Sequence, residues 1–287
     1  MRVQMGTAPG IARAPKGIIL RMDVRTEALR VLLIADPEAK CAATTALHQA
    51  LQAGQATIDP SATLNNDQPL PGRPPLPRLV PVVQVPRRSP FTPTGRAALL
   101  HAVCHIEFNA INLGLDACWR FAGMPVDFYR DWLQVAAEEA LHFRLLRDHL
   151  RTLDHDYGDF DAHDGLWTMC ERTADDIVAR MALVPRTLEA RGLDATPPMQ
   201  ARLAKAGDHA AVAILDIILR DEVGHVAIGN HWYQWLCTRD GLDALALYPE
   251  LARRHEAPRL RQPLNLDARR RAGFSEAELQ RLAADAA

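Results

Sequence analysis

The sequence predicts an all-α protein: a four-helix bundle with a long crossover between its halves, preceded by short helices and a proline-rich strap and followed by an arginine-rich extension. Three observations predict it. Between Thr94 and Thr238 apolar residues recur at three- and four-residue spacing in four long stretches, with few β-branched alternations. Turn-forming clusters separate those stretches. Ten of the chain's twenty prolines lie between Pro60 and Pro93, a density that excludes helix and central strand. Long helices without strands bury their apolar stripes only against one another.

The elements follow in order. Residues 1–22 are expected as a disordered tail: Arg2, Arg13, Lys16 and Arg21 stand without an acid, and GIIL is too short for a signal-peptide core. A start at Met22 is the alternative. Residues 23–93 hold two short helices over Thr26 to Ala53, the second opened by Asp36 as N-cap and Pro37, and then the strap. Residues 94–240 form the bundle. Its first helix (95–121) stops at AGMP, its second runs over 126–150, and DHDYGDFDAHDG is a turn-rich link. The third runs from Leu166 to Arg191, breaks at GLDATPP and resumes to Ala206; the fourth opens at Asp208 and reaches Cys237. Residues 241–287 are the extension, with Ser275 to Glu278 capping its last helix.

With 287 residues, 48% hydrophobic and 24% charged, the chain has an ordinary globular composition. A net charge of -2 gives no global attraction to nucleic acid or anionic lipid. The five cysteines form no C-x-x-C pair, so reduced, buried thiols in a cytoplasmic protein are expected. No apolar run approaches membrane-spanning length, so no membrane partner is expected.

Polar residues on the apolar helical faces carry the chemistry. The second helix holds Glu139-Ala-Leu-His142 and the fourth Glu222-Val-Gly-His225, each pair one turn apart on one face. Glu107 precedes Glu139 by 32 residues and Glu189 precedes Glu222 by 33. The midpoints fall at Gly123 and at Lys205 to Ala206, inside or beside predicted turns, so each hairpin brings a Glu level with a Glu-x-x-His. One Glu-x-x-His alone is commonly a solvated face. Two, each with a level partner, are the donor set of di-iron and di-manganese carboxylate bundles. Four carboxylates buried together are costly unpaired and would protonate instead, whereas two divalent cations would balance their four negative charges. Two iron ions are expected, with manganese or a mixed pair as alternatives. No His precedes either glutamate as a zinc-protease motif requires.

Asp221 is placed to accept a hydrogen bond from His142, and Glu138 from His225, which would fix the imidazole tautomers. Pro185, four residues before Glu189, should disturb the third helix. Glu171, 32 residues after Glu139, is the alternative third-helix ligand. His101, His105 and His163 read as packing or supporting residues. Trp119, Phe121, Trp132, Phe143 and Trp167 read as core.

The segments LLHAVCHIEFNAINLGLDACWRF, DWLQVAAEEALHF, YGDFDAHDGLW, ARMALVPRTLEARGLDATPPM and ILRDEVGHVAIGNHW resemble the bacterial ferritin-like family known as domain of unknown function 455, over roughly Pro71 to Phe274. The resemblance implies a ferritin-like bundle. More distantly, Glu189-Ala190-Arg191 followed by LRDEVGH is similar to paired segments of the di-iron tRNA hydroxylases acting on 2-methylthio-isopentenyl-adenosine, which favours Glu189 over Glu171. Gly192 and the prolines after it depart from that pattern.

The leading expectation is an oxygen-dependent di-iron oxidase or hydroxylase, with molecular oxygen and a further substrate as partners. A rubrerythrin-like ferroxidase or peroxidase is the alternative; lacking a paired C-x-x-C module, it needs an external electron donor. An iron-storage cage is disfavoured because strap and extension cover the packing faces. A non-catalytic metal-binding bundle is a further alternative; a bundle whose polar residues only bind a partner would hold no stoichiometric metal. A homodimer is compatible with all of these. The arginine-rich 253–273 segment is the one candidate tRNA contact, and it reads rather as a structure-bracing tail.

Overall fold

The computed structural model describes residues 22–86 and 88–286; all of the expected tail but Met22 lies outside them. Among these residues the only strands are Met22–Asp23 (β1) and Ala56–Thr57 (β2), a two-residue parallel pair. They flank α1 (Val24–Leu32) and α2 (Pro37–Gln52), the latter capped by Asp36, whose Oδ1 accepts from the Ala39 amide at 2.8 Å.

The bundle begins with α3 (Pro93–Arg120), started by Thr92 as N-cap and Pro93 in the first turn. Phe121 leaves the helix, Gly123 takes φ +77°, and Pro125 admits α4 (Val126–Thr152). The two helices pack closely at Gly114, where a Cβ would lie 2.8 Å from the Trp132 carbonyl oxygen. By length and composition α3 is the one helix among the described residues able to cross a bilayer, which amends the expectation that none approaches it. However, 78% of its apolar window is buried against the rest of the protein.

The third helix departs from the sequence reading. Its break comes at Thr173, where α5 (Gly165–Arg172) ends, and α6 (Ile177–Leu183) restarts on Asp176, whose side chain caps the Ala179 amide. The chain then makes a π-helical turn over Val184–Glu189 and continues as α7 (Ala190–Lys205). GLDATPP therefore lies inside a helix. Pro197 cannot donate to the Leu193 carbonyl, but Asn265 Nδ2 from the extension donates to that oxygen at 3.1 Å. A contact from 72 residues away replaces the missing backbone bond.

Asp208 caps α8 (His209–Arg239) through the Ala211 amide. It runs antiparallel to α4, as residue pairs at equal steps show: Asp131 with Trp232, Glu138 with His225, and His142 with Asp221. Since α7 and α8 form a hairpin, α7 runs parallel to α4, and the segment after Thr152 crosses the length of the bundle.

The strap is pinned to the bundle. Arg25 and Lys40 are buried in it, Arg25 donating to the Cys118 and Trp119 carbonyls of α3 and to those of Asp59, Pro60 and Ala62. Lys40 Nζ donates to the Leu32 and Gly72 carbonyls and to Asn112 Oδ1. The extension comprises α9 (Ala244–Arg254), α10 (Leu266–Arg271) and α11 (Glu276–Asp285), with the expected Ser275–Glu278 capping box present. Arg269, far from being a solvated cation, is fully buried and pairs with Asp194 at 2.6 Å. All five cysteines are free and buried.

Candidate metal centre

Burying a carboxylate is costly, and four side chains of this kind converge here. Glu107 on α3, Glu139 on α4, Glu189 at the end of the π turn and Glu222 on α8 are each at most 7% exposed. With them are His142 and His225, also buried. Donor atoms of Glu107, Glu139, His142 and Glu222 all lie within 4.8 Å of one another.

Glu139 is the hub. Its Oε2 lies 3.2 Å from His142 Nδ1, and its Oε1 lies 2.8 Å from His225 Nδ1. The other neighbours are Glu107 Oε2, 3.5 Å from His142 Nδ1, and Glu222 Oε1, 3.8 Å from His225 Nδ1. Both imidazoles thus turn Nδ1 to the cluster and Nε2 away from it. His142 Nε2 meets Asp221 Oδ2 at 3.1 Å and His225 Nε2 meets Glu138 Oε2 at 2.7 Å. Asp221 is itself held by Arg220, and Glu138 by Gln134. An Nε2–H donated to each carboxylate leaves an Nδ1 lone pair facing the cluster, the tautomer a metal needs.

The cluster has more acceptors than donors. Glu107 Oε2, Glu222 Oε2 and both oxygens of Glu189 are buried with no hydrogen-bond partner, and Glu139 Oε1 and His225 Nδ1 have no neighbour closer than each other, at 2.8 Å. Buried polar atoms are ordinarily paired, so such a concentration of orphans points to something else that satisfies them. Protons are one answer. Burial, then the charge of Glu139, pushes the carboxyls of Glu107 and Glu222 above the usual range. Burial, then Glu222 and Glu139, does the same to Glu189. Burial also opposes ionisation of Glu139, yet the two imidazoles overcome it and hold that carboxyl well below the usual range. Burial works against His142 too, but Glu139 and Glu107 raise it to about 11. Cations are the other answer: two dications neutralise four carboxylates and engage every orphan.

Local structure explains how Glu189 arrives. Pro185 has no amide proton, so the α-helical ladder cannot pass through it, and the chain takes up a longer hydrogen-bond step, the Ala190 amide bonding to the Pro185 carbonyl. Gly229 on α8 makes room, since a Cβ there would lie 2.5 Å from Pro185 Cβ. The disturbance expected at Pro185 is thus a π turn ending on Glu189.

The six residues predicted as donors are brought together, and so are Asp221 and Glu138. Glu171 is not: it is exposed on α5, where its Oε1 accepts from Trp167 Nε1 at 2.9 Å. His101 accepts from the Gly158 amide at 2.9 Å, His105 pairs with Tyr157 and Asn109, and His163 accepts from the Gly165 amide. Trp119, Phe121, Trp132, Phe143 and Trp167 are buried in the core. Sequence reasoning missed Arg186, which is buried within the π turn. It pairs with Glu278 and donates to Asn230 Oδ1 at 2.7 Å, beneath the rings of Tyr233, Tyr248 and Phe274. The capping box marked Glu278, but nothing in the sequence linked it to Arg186.

The model of the family described as "Protein of unknown function (DUF455)" matches residues 33–280. An uncharacterized protein of Haemophilus influenzae is 56% identical over 210 residues, covering 71% of this chain and 73% of that protein. No solved structure matches the chain.

Proposed function

This chain belongs to the family DUF455, a family of unknown function, and we propose that its buried carboxylate–histidine cluster holds two divalent metal ions, iron by preference, as the centre of an oxygen-dependent oxidase or hydroxylase with a ferritin-like bundle. One observation carries this reading: Glu139 turns its two oxygens toward two different imidazoles, so a single buried carboxylate spans two donor groups. On one side stand Glu107 and His142, on the other Glu189, Glu222 and His225. The donor set is oxygen-rich with two imidazoles and no thiolate, which suits iron or manganese better than copper or zinc.

A reduced metal pair held by these residues would supply electrons for the reduction of molecular oxygen. The protein's own groups do the rest. Asp221 and Glu138 hold the Nε2 protons, fixing both rings and keeping the Nδ1 atoms basic. Glu189, on a π turn, is the carboxylate whose backbone is least regular, and it is suited to change coordination as charge changes. The surrounding apolar core excludes water. Returning the pair to its reduced form after each turnover would fall to an external electron donor, since the five cysteines are separate buried thiols.

The test is anaerobic titration of the metal-stripped chain with ferrous iron, then a measured dose of oxygen. Two ions bound per chain and stoichiometric oxygen uptake, both lost in Glu139→Gln and Glu222→Gln, are expected. Binding of less than one ion per chain refutes the metal centre, and two ions without oxygen uptake refute the oxidase.

A further inference from the structure

The arginine-rich segment, which the metal cluster does not use, divides on inspection into two kinds of residue. Arg269 is structural: its Nε and one terminal nitrogen grip the Asp194 carboxylate at 3.1 and 2.6 Å, and it donates to the Ala190 carbonyl at 3.2 Å. Arg270 pairs with Asp267 and Glu276 on the surface. Arg261 does neither. It lines a cleft of about 220 Å³ between the first turns of α7 and the segment 260–263, together with Arg191, Asp194, Pro198, Gln262 and Pro263.

The cleft's charge decides its chemistry. Arg191 and Arg261 take part in no ion pair or side-chain hydrogen bond among the described residues, and both are exposed. Asp194 is the one acid in the lining, and Arg269 already neutralises it: its Oδ1 accepts from Arg269 and from the Asn265 amide at 2.8 Å, and its Oδ2 from Arg269. Two arginines without an ion-pair partner among the described residues therefore line one cavity, between a proline-bearing helix on one side and Pro263 on the other. Paired guanidinium forks match the oxygens of a carboxylate or a phosphate monoester.

We propose that this cleft is a binding site for a small anionic molecule carrying a carboxylate or phosphate group, gripped by Arg191 and Arg261. Its size suits a small molecule rather than a length of polymer. The site stands on its own, independent of the metal reading, but its position gives it meaning. Its α7 lining, residues 191–198, lies about 3 to 14 Å along the helix axis from Glu189, at 1.5 Å per residue. An anion held there presents the rest of its molecule beside the helix that carries Glu189.

The experiment uses the full chain as purified and two probes, inorganic phosphate and malonate, titrated by calorimetry at low ionic strength. Saturable one-to-one binding of at least one probe is expected, and which binds more tightly assigns phosphate or carboxylate as the natural handle. Arg191→Gln and Arg261→Gln should each weaken it by about tenfold or more, the loss of one charge-assisted pair. Arg202→Gln, an exposed arginine of α7 outside the cleft, should leave it unchanged. Circular dichroism confirms that the exposed substitutions leave the fold intact. Absence of saturable binding of both probes overturns the proposal, and so does equal weakening by Arg202→Gln. A single-stranded RNA 20-mer is the third arm. Tighter binding of RNA than of either probe, lost in the same two variants, overturns the small-molecule assignment in favour of a nucleic-acid backbone.

Discussion

Replacing Glu189 by Gln in the metal-stripped protein should make it more stable, not less. Both oxygens of Glu189 are buried without a partner, and burial together with Glu222 and Glu139 keeps its carboxyl protonated well above the ordinary value of 4.5. In the unfolded chain at pH 7 the same group is ionised, so folding must take up a proton. Each pH unit that separates 4.5 from the raised folded value adds about 1.4 kcal/mol to that cost. Gln has nearly the same shape and no proton to take up, and its unpaired amide resembles the unpaired acid it replaces. The sign follows from the raised folded pKa. The penalty is absent below the unfolded value, grows as pH rises above 4.5, and stops growing at the folded value. In urea titrations with chelator present, variant and wild type should therefore unfold together at pH 4, and the variant should become the more stable of the two as pH rises to 7. With ferrous iron or manganese added, the order should reverse, because ligand binding stabilises only the chain that binds it. A variant less stable than wild type at pH 7 in chelator would show that Glu189 has a structural partner, and would refute this account of the cluster.

Asp221→Asn, which weakens the hold on the His142 Nε2 proton, should lower metal affinity by about 10- to 100-fold in competition with a chelator. Gly229→Ala places a Cβ 2.5 Å from Pro185 and should cost about 1–3 kcal/mol in a denaturant titration; a neutral result would mean the π turn is not pressed against α8. His101 is buried and its pKa is lowered, by burial against the opposing charges of Asp159 and Asp156, from 6.5 to about 4. Its contribution is whole above 6.5 and is lost as pH falls toward 4, so His101→Gln should remove up to about 3 kcal/mol of acid sensitivity over that window, seen as a flatter stability-against-pH curve.

What could be read from the sequence was whatever depends on local period and spacing. The two hairpins were legible because Glu107–Glu139 and Glu189–Glu222 straddle real turns, at Gly123 and at Ala206 to Asp208. Asp36, Asp208 and Ser275 were legible as caps because capping is a three-residue affair. The third helix was misread for the same reason. Pro197 and Pro198 look like a break when only neighbours are considered, and they are tolerated because Asn265, far along the chain, occupies the Leu193 carbonyl. The true interruption at Thr173 has no proline or glycine to announce it. It is held by Arg180, which donates to Thr173 Oγ1 at 2.8 Å and pairs with the buried Asp116 of α3. Both the false break and the missed one turn on side chains that reach across the fold.

The C-terminal extension, otherwise peripheral, is tied by its contacts to the buried carboxylate–histidine cluster. A π turn is a weak element, with carbonyls out of step with their donors. Here it must hold Glu189 in place against three other buried carboxylates. The protein compensates from outside the bundle: Thr187 Oγ1 donates to the Ala182 carbonyl at 2.8 Å and is met by Tyr248 of α9. Arg186 is enclosed by Tyr233, Tyr248 and Phe274 and neutralised by Glu278 of α11. Arg269 of α10 caps the Ala190 carbonyl immediately beyond Glu189. Each of the three helices of the extension thus contributes one polar contact within three residues of Glu189. Removing a partner from a buried ion pair such as Arg186–Glu278 is strongly destabilising, typically by about 3–5 kcal/mol. The irregular turn that ends on Glu189 is therefore tethered by all three helices of the extension, α9 through Tyr248, α10 through Arg269 and α11 through Glu278.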